Sequence, residues 1–358
     1  MRDALARVLF GAGALQAIAR ARRYAPAPAT VSIVTYHHIA DDDASYAYDP
    51  TVADASPAQF RRQLELLARY GTPIGIDELV RAFDGAPLPR NPFMVTFDDG
   101  YRSCHDVALP ILQAVGVCAT FFVATSFVTE RRLYWWERIA VALRTATRAR
   151  ATLAHPRPLE LDARDPRTLG TLNDVVKNTP QLDLERFLDE LCAALGVAWS
   201  RAIEARHADE LVMSWDHVRA LARAGMDVES HSRSHRVLQT LADGELHDEL
   251  AGSRADLEAQ VGRPVRAIAY PVGRSIARHG RIRAAIAAAG YRIGLSNASG
   301  ATRLWPAPLR GLLRDDPFDV RPLSTDRDMS DAMYFMQVVV PSLAYIGRHD
   351  LPDGASEN

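Results

Sequence analysis

The sequence predicts an α/β fold in which helices cover a parallel sheet or barrel. Short apolar runs typical of buried strands alternate with stretches of helical periodicity, and glycines end several of the helices. The connections between these elements are short, as in βα units. The length of 358 residues, 48% of them hydrophobic, allows one large α/β domain with an insertion, or two domains.

In the first half of the chain, strands and helices follow each other regularly. Ser56 and Pro57 are a typical N-cap and first residue of a helix, and Gly71 ends that helix. The apolar run before Asp98 predicts a buried strand. The predicted elements are strand 30–35, helix 57–70, strand 74–76, helix 77–83, strand 93–97, helix 107–115 and strand 118–123.

The alternation stops near residue 126 and resumes at Ser214. Residues 130–210 have no clear strand pattern, so we expect a helical insertion there. Beyond it the predicted elements are helix 215–224, strand 226–230, helix 245–261, strand 267–270, helix 282–289 and strand 291–295. We therefore divide the chain into an N-terminal helix and linker (1–29), a main domain with the insertion (30–314) and a C-terminal tail (315–358).

Two pairs of polar residues follow predicted strands. Asp98 and Asp99 end one strand, and His231 and His235 follow another. The carboxyl ends of parallel strands lie on one side of a sheet or barrel, so we expect the two pairs to lie together. Two imidazoles and one of the carboxylates make a three-ligand site with an open position, as a hydrolytic zinc centre requires. The other carboxylate is then free to act as a general base.

Neither pair indicates this function when it is taken alone. Two histidines four residues apart are more often a surface or capping pair than metal ligands, and adjacent aspartates before a glycine usually form a turn. Because both pairs occupy strand ends in a βα chain, their combination favours the metal site.

Several segments resemble a known family. Residues 95–101 and 225–235 resemble the first two motifs of the polysaccharide deacetylase family (NodB homology, carbohydrate esterase family 4). Residues 36–39 are similar to the strand that begins the branch of this family working on exopolysaccharides. Residues 268–273 resemble the third motif, and the resemblance extends over about residues 30–312.

The resemblance implies a distorted (β/α) barrel with fewer than eight strands and a divalent metal ion, most often zinc. It also implies hydrolysis of the acetamide of N-acetylated sugars, so the expected partner is an N-acetylated glycan or oligosaccharide. Carried over by position, Asp98 is the general base, and Asp99, His231 and His235 bind the metal.

The chain also departs from the family pattern. Many members have an arginine in the third motif that tunes the base, but Ala269 stands at that position, and Arg310 is our candidate to replace it. The late histidine that serves many members as general acid has no clear counterpart, which leaves His38 as a candidate proton donor.

Aromatic and neighbouring residues beside these motifs are candidates for substrate contact. Trp135 and Trp136 either stack on a sugar ring or anchor the insertion to the barrel. The residues that we expect to contact the substrate are Tyr36, His38, Tyr101, Tyr270 and Pro271.

The composition excludes several other functions. The net charge of -2 argues against a nucleic-acid partner, and three cysteines without CxxC spacing give neither a disulfide framework nor a thiolate zinc site. The uncharged stretch 8–19, flanked by arginines, is too short to span a bilayer. It favours peripheral membrane contact over a cleaved signal peptide, so we expect a location in the cytoplasm or at the cytoplasmic membrane face.

These observations predict a metal-dependent N-deacetylase of amino sugars in glycan or exopolysaccharide biosynthesis. Two alternatives stay open. One keeps the fold and the metal but hydrolyses the C–N bond of a non-sugar amide. The other is a metal-retaining glycan-binding protein with little catalysis, which the absent arginine and late histidine favour.

Overall fold

A computed structural model describes most of the chain. The described residues are 2–24, 29–41, 46–296, 300, 302–304 and 316–341. Its helices are α1 (Arg2–Gly11), α2 (Ala14–Ala21), α3 (Pro57–Tyr70), α4 (Ile76–Phe83), α5 (Leu109–Val115), α6 (Thr125–Glu130), α7 (Trp135–Arg144), α8 (Arg167–Asn178), α9 (Leu184–Ala194), α10 (Arg201–Leu211), α11 (Trp215–Arg223), α12 (Asp243–His247), α13 (Ser253–Val261), α14 (Gly280–Ala288) and α15 (Asp331–Val339).

The strands match most of the predicted positions to within a few residues. They are β1 (Ala29–Tyr36), β2 (His38–Ile39), β3 (Ala53–Ala55), β4 (Thr72–Pro73), β5 (Pro92–Phe97), β6 (Thr120–Val123), β7 (Arg150–Leu153), β8 (Leu159–Asp162), β9 (Asp227–Ser230), β10 (Ala267–Ala269), β11 (Ile293–Leu295), β12 (Thr302–Leu304) and β13 (Leu323–Ser324).

The main sheet has the strand order β11-β10-β9-β6-β5-β1-β12. From β11 to β1 all neighbours run parallel, so their carboxyl ends lie on one side, whereas β12 is antiparallel to β1. Short strands β4 and β13 pair with β5 and β1. Within the described residues, these six parallel strands form a curled wall surrounded by helices, which confirms the predicted distorted (β/α) barrel.

A late segment joins the two sides of the curled sheet. Val320 bridges to Leu295 at the end of β11, and Leu323 of β13 pairs with Val34 of β1. The hydroxyl of Thr325 adds a hydrogen bond to the carbonyl of Thr35 at 2.7 Å. From the sequence we expected these late residues in a C-terminal tail, because the segment is too short and too polar to show strand periodicity.

Side chains of the wall strands alternate between the barrel interior and the surrounding helices. Met94 and Phe122 belong to the interior cluster, whereas Phe97 and Phe121, with ring centroids 4.8 Å apart, pack under the helices. Helix α4 also contributes apolar side chains to the interior cluster. Its first N–H, from Ile76, donates to the carboxylate at the start of β9 at 2.8 Å. Helix α4 therefore closes the amino-terminal end of the barrel, and the carboxyl end stays open.

Two local predictions were wrong. Strand 74–76 was predicted, but β4 lies earlier and Ile76 already begins α4, because its apolar side chain is needed in the barrel interior. Residues 130–210 form the expected helices α7 to α10, but also the antiparallel hairpin β7–β8. Most hairpin side chains are at least partly exposed, so the sequence shows no apolar alternation there.

The N-terminal helices pack against the last described helix. Ala6, Leu15 and Ala19 form an apolar cluster with Phe335 and Met336 of α15. No single described helix is long and apolar enough to cross a membrane; only the pair α1 and α2, bent by 74°, passes that test by length and composition together.

Candidate active site

Asp99, His231 and His235 meet at the open end of the barrel. Asp99 follows β5 and the histidines follow β9, and only β6 separates these strands in the sheet. The Nε2 atoms of His231 and His235 lie 3.2 and 3.3 Å from Oδ1 of Asp99. All three side chains are buried. The parallel topology thus brings together two motifs that are far apart in the sequence.

Left-handed backbone conformations aim these side chains at one point. Asp99, Ser232 and His235 have φ angles of 72°, 61° and 54°. Each such residue costs on the order of 1–3 kcal/mol, so the conformation persists only where its surroundings enforce it. The carbonyl of Asp99 accepts a hydrogen bond from the N–H of Ala124 at 3.2 Å, which fixes the turn after β5 to the end of β6.

A buried carboxylate holds the loop between the two histidines. Oε2 of Glu249 accepts hydrogen bonds from the backbone N–H groups of Arg233 at 2.8 Å and Ser234 at 2.9 Å, and Oε1 accepts one from the Ser234 hydroxyl. Glu249 lies in the π-turn Asp248–Gly252 between α12 and α13. Because buried N–H groups without acceptors are costly, Glu249 stabilises the loop conformation that presents His235.

Hydrogen bonds and charges around the histidines and Asp99 orient the three side chains and shift their pKa values. Nδ1 of His231 lies 2.9 Å from the carbonyl oxygen of Ala269, which can only accept, so Nδ1 donates there and Nε2 faces Asp99. Burial lowers the pKa of His231, but Asp99 and Asp98 outweigh it and raise it, so a bound cation would take the place of a proton on Nε2. Burial lowers the pKa of His235 to about 3, which keeps that imidazole neutral. Burial alone raises the pKa of Asp99, but the facing imidazoles lower it to about 2.

These residues fit a divalent cation. The ligand atoms of Asp99, His231 and His235 all lie within 4.8 Å of one another. Oδ1 of Asp99 is buried and lacks a hydrogen-bond partner among the described residues, an arrangement that is costly unless a cation satisfies the oxygen. Two imidazoles and one carboxylate are a common donor set of catalytic zinc.

Asp98 lines the same cavity beside this trio. Burial raises the pKa of Asp98, and positive charge on His231 and His37 opposes the rise. A carboxylate with a raised pKa beside a metal site can take a proton from water.

A histidine–aspartate pair, His37 and Asp54, also lines the cavity. Oδ2 of Asp54 lies 3.0 Å from Nδ1 of His37 and also accepts its backbone N–H. Burial lowers the pKa of His37, but the charge and hydrogen bond of Asp54 outweigh it and raise the pKa to about 10. His37 is therefore protonated at neutral pH and can donate a proton inside the cavity.

The neighbouring His38 does not line the cavity, which corrects its expected place as proton donor. Its ring lies between those of Tyr46 and Tyr101, and Nδ1 is 2.7 Å from the hydroxyl oxygen of Ser103. Burial lowers the pKa of His38 to about 4, so its ring is neutral at neutral pH and a poor general acid. The other candidate from the sequence, Arg310, lies outside the described residues.

Among the expected substrate contacts, Tyr270 lines the cavity, whereas Tyr36, Tyr101 and Pro271 do not. Tyr36 is buried and donates to Oε1 of Gln63 at 2.7 Å. Tyr101 is buried as well. The two tyrosines are adjacent to the motifs in sequence, but their side chains point into the helix-covered core and pack beneath the strand ends that carry the motifs.

The turn after β10 leaves one N–H group uncommitted. The N–H groups of Tyr270 and Gly273 bond to the carbonyls of Leu295 and Tyr270, and Pro271 has none. Within the described chain, the N–H of Val272 makes no hydrogen bond, and Val272 lines the cavity. Its φ of 61° is rare for a β-branched residue, which marks a backbone held in place by its surroundings.

The insertion supplies one wall of this cavity of about 320 Å³. Trp135 and Trp136 of α7 line it while remaining almost fully buried. Nε1 of Trp136 donates to the Tyr101 hydroxyl at 2.7 Å, and that hydroxyl donates to the buried carboxylate of Glu137 at 2.7 Å. Both tryptophans therefore anchor the insertion and present ring surface to the cavity.

Several cavity residues were not expected from the sequence. They are His37, Asp54, Asn173 and Lys177. His37 had a signal in the sequence, because two adjacent histidines follow the first strand and either could face the site. Asp54 and the residues of α8 had no such signal in the sequence, since their position depends on how distant segments pack.

Comparisons with known proteins agree with this arrangement. The family model for polysaccharide deacetylases matches residues 85–294. The structure of Streptococcus pyogenes deacetylase PplD in complex with acetate has a TM-score of 0.56 and 17% identity, over 87% of this chain and 99% of the other. A de-N-acetylase from Aggregatibacter actinomycetemcomitans has a TM-score of 0.52 and 15% identity, over 84% of this chain and 97% of the other. IcaB from Ammonifex degensii has a TM-score of 0.51 and 17% identity, over 88% of this chain and 97% of the other.

At these identities the solved structures establish the fold alone. No curated protein sequence matches the chain. The family model, however, covers more than half of the 358 residues and includes both the Asp98-Asp99 motif and the two histidines. The chain therefore belongs to the polysaccharide deacetylase family, whose members hydrolyse carbon–nitrogen bonds other than peptide bonds.

Proposed function

We propose that this protein is a metal-dependent hydrolase that removes N-acetyl groups from amino sugars of a glycan, in exopolysaccharide or related biosynthesis. The observation that carries the proposal is the buried cluster of Asp99, His231 and His235 in one cavity with Asp98 and His37. The proposed cofactor is Zn²⁺, because the donor set matches it.

Each residue has a defined part in the proposed reaction. Asp99 and the two histidines would hold the cation, which supplies a Lewis acid that polarises the acetyl carbonyl and activates water. Asp98 accepts a proton from the attacking water as general base. The N–H of Val272 donates a hydrogen bond to the carbonyl oxygen as it becomes negative. His37, kept protonated by Asp54, donates a proton to the leaving amine.

The proton donor weakens the main argument for a binding protein without catalysis. That alternative was favoured by the absent third-motif arginine and the absent late histidine, and the His37–Asp54 pair supports a replacement for the histidine. The indole rings in the cavity wall support a sugar over a non-sugar amide, since flat aromatic surfaces pack well on the apolar face of a pyranose.

Acetate release from chitin oligosaccharides by the zinc-loaded protein tests the proposal. We expect Asp98→Asn to lower kcat by about 10²–10⁴-fold while zinc stays bound, because the variant loses only the base. Asp165→Asn, which removes a surface carboxylate paired with Arg167, is the matched control. Hydrolysis of a small non-sugar amide without acetate release from any glycan would contradict the proposal.

We also propose that α1 and α2 contact the cytoplasmic face of a membrane peripherally. Leu5, Val8 and Ile18 are 42%, 67% and 40% exposed, so α1 and α2 present large apolar side chains to solvent. Flotation with anionic vesicles tests this: we expect wild type to float and Val8→Asp to float less. A wild-type protein that stays in solution would contradict it.

A further inference from the structure

Helix α8 of the insertion forms a fixed part of the cavity wall. Asn173 and Lys177 are four residues apart, so they lie on one helix face, and both line the cavity. The adjacent face packs into the core through Leu172, Val175 and Val176. At the end of the helix, Oδ1 of Asn178 accepts a hydrogen bond from Arg274, just after the Val272 turn. The two cavity-facing side chains are thus held beside the proposed reaction centre.

Lys177 is unusual both in the sequence and in its surroundings. It is the only lysine among the 42 lysine and arginine residues of the chain. Within the described chain its ammonium group makes no hydrogen bond or ion pair, and no arginine lines the cavity. A half-buried cation without a partner at a substrate cavity is available to a negatively charged ligand.

Asn173 also has an unused polar atom. Its Oδ1 is buried and has no hydrogen-bond partner among the described residues. Leaving a buried acceptor unpaired is costly, and a ligand that donates a hydrogen bond removes the cost. A sugar hydroxyl is such a donor.

Each carboxylate of the cavity has a hydrogen-bond partner or a part in the proposed reaction. Asp54 pairs with His37, and Oδ1 of Asp49 accepts hydrogen bonds from the N–H and hydroxyl of Thr51. Asp99 belongs to the proposed cation site, and Asp98 lines the cavity beside it as the proposed base. Among the described residues, the lining charge that has neither a partner nor a part in the proposed reaction is therefore the ammonium group of Lys177.

We propose that Asn173 and Lys177 form a subsite for an anionic glycan, which carries a carboxylate or a phosphate ester next to the N-acetylated sugar. The inference rests on the proposed deacetylase function. Lys177 pairs with the anionic group through its compact ammonium, and Asn173 accepts a hydrogen bond from a sugar hydroxyl. The preferred substrate class is thereby an acidic glycan or phosphorylated intermediate, over a neutral chitin-like polymer.

The test compares kcat/KM for acetate release on charged and neutral probes by the zinc-loaded protein. Hyaluronan tetrasaccharide carries carboxylates and is compared with chitotetraose. N-acetylglucosamine 1-phosphate carries a phosphate ester and is compared with methyl N-acetylglucosaminide. The variants are Lys177→Gln, Lys177→Arg and the matched control Arg167→Gln. Arg167 lies on the same helix, but its side chain is 86% exposed and pairs with Asp165.

We expect Lys177→Gln to lower the charged-to-neutral ratio of kcat/KM about tenfold or more for one of the two probe pairs, the loss typical of a charge-assisted hydrogen bond. The Lys177→Arg variant should retain most of the wild-type charged-to-neutral ratio, and the Arg167→Gln variant should have the same ratio as the wild type. The pair that responds identifies the group as carboxylate or phosphate. Rising salt should reduce the ratio in wild type but not in Lys177→Gln.

Two results would overturn the inference and leave the proposed function standing. One is a fall by the same factor on charged and neutral probes in Lys177→Gln. The other is a wild-type protein that releases acetate from the neutral probes but has a charged-to-neutral ratio of kcat/KM no higher than that of Lys177→Gln. Acetate release from none of the four probes would overturn the proposed function and the inference with it.

Discussion

Replacing Asp54 with asparagine should move the alkaline limb of the pH–rate profile to lower pH. In the proposed reaction His37 acts in its protonated form, so activity falls as the pH rises through the pKa of His37. Asp54 raises that pKa in the wild type. The variant keeps the shape of the side chain and removes its charge, so His37 loses its proton at a lower pH.

The size of the shift follows from the contacts of the pair. Asp54 bonds to Nδ1 and to the backbone N–H of His37, and together with Asp98 and Asp99 it raises the pKa from 6.5 to about 10 against the effect of burial. The side chain of His37 is 35% exposed, so solvent screens the interaction. We expect the loss of Asp54 to lower the pKa by about one to two units, equivalent to roughly 1.5–3 kcal/mol.

The assay is acetate release from chitin oligosaccharides, with kcat/KM measured between pH 6 and 11. Asp49→Asn is the matched control, because it removes a carboxylate from the same cavity that bonds to Thr51 and not to His37. Its alkaline limb should stay where the wild type has it. An Asp54→Asn variant whose alkaline limb does not move would refute the assignment of His37 as the proton donor.

Three further variants test other parts of the site. His37→Gln should lower kcat about 10²–10⁴-fold with unchanged zinc content, measured by acetate release and elemental analysis; full activity would contradict the mechanism. Glu249→Ala leaves N–H groups of the histidine loop unpaired and should weaken zinc affinity about 10–100-fold in competition with a chelator; equal affinity would argue against its role. Tyr101→Phe breaks the contact with Glu137 and should lower the free energy of unfolding by about 1–3 kcal/mol, measured with urea; an unchanged value would show that the contact contributes nothing.

The fold could be predicted because its signals are local. The apolar strands β5 and β9 are each followed by polar residues, and a parallel βα order places all strand ends on one side. That is why Asp99 and His235 could be expected near each other without any knowledge of the packing. The hairpin β7–β8 gave no such signal, because it lies on the surface of the insertion and buries few side chains.

The proton donor shows what sequence reasoning cannot decide. His37 and His38 are adjacent, and neighbouring side chains in extended backbone point to opposite sides. Which of them faces the cavity depends on the end of β1 and on Asp54, which arrives from a different segment. Lys177 likewise reaches the cavity only because the insertion folds back over the barrel.

The central claim is that Asp99, His231 and His235 hold a divalent cation on which deacetylation depends. Elemental analysis of wild type and His235→Ala, with acetate release measured on the same samples, tests it most directly. We predict one zinc ion per wild-type chain, and loss of both zinc and activity in His235→Ala. A wild-type protein that binds no divalent metal, or a His235→Ala variant that keeps its zinc and its activity, would contradict the claim.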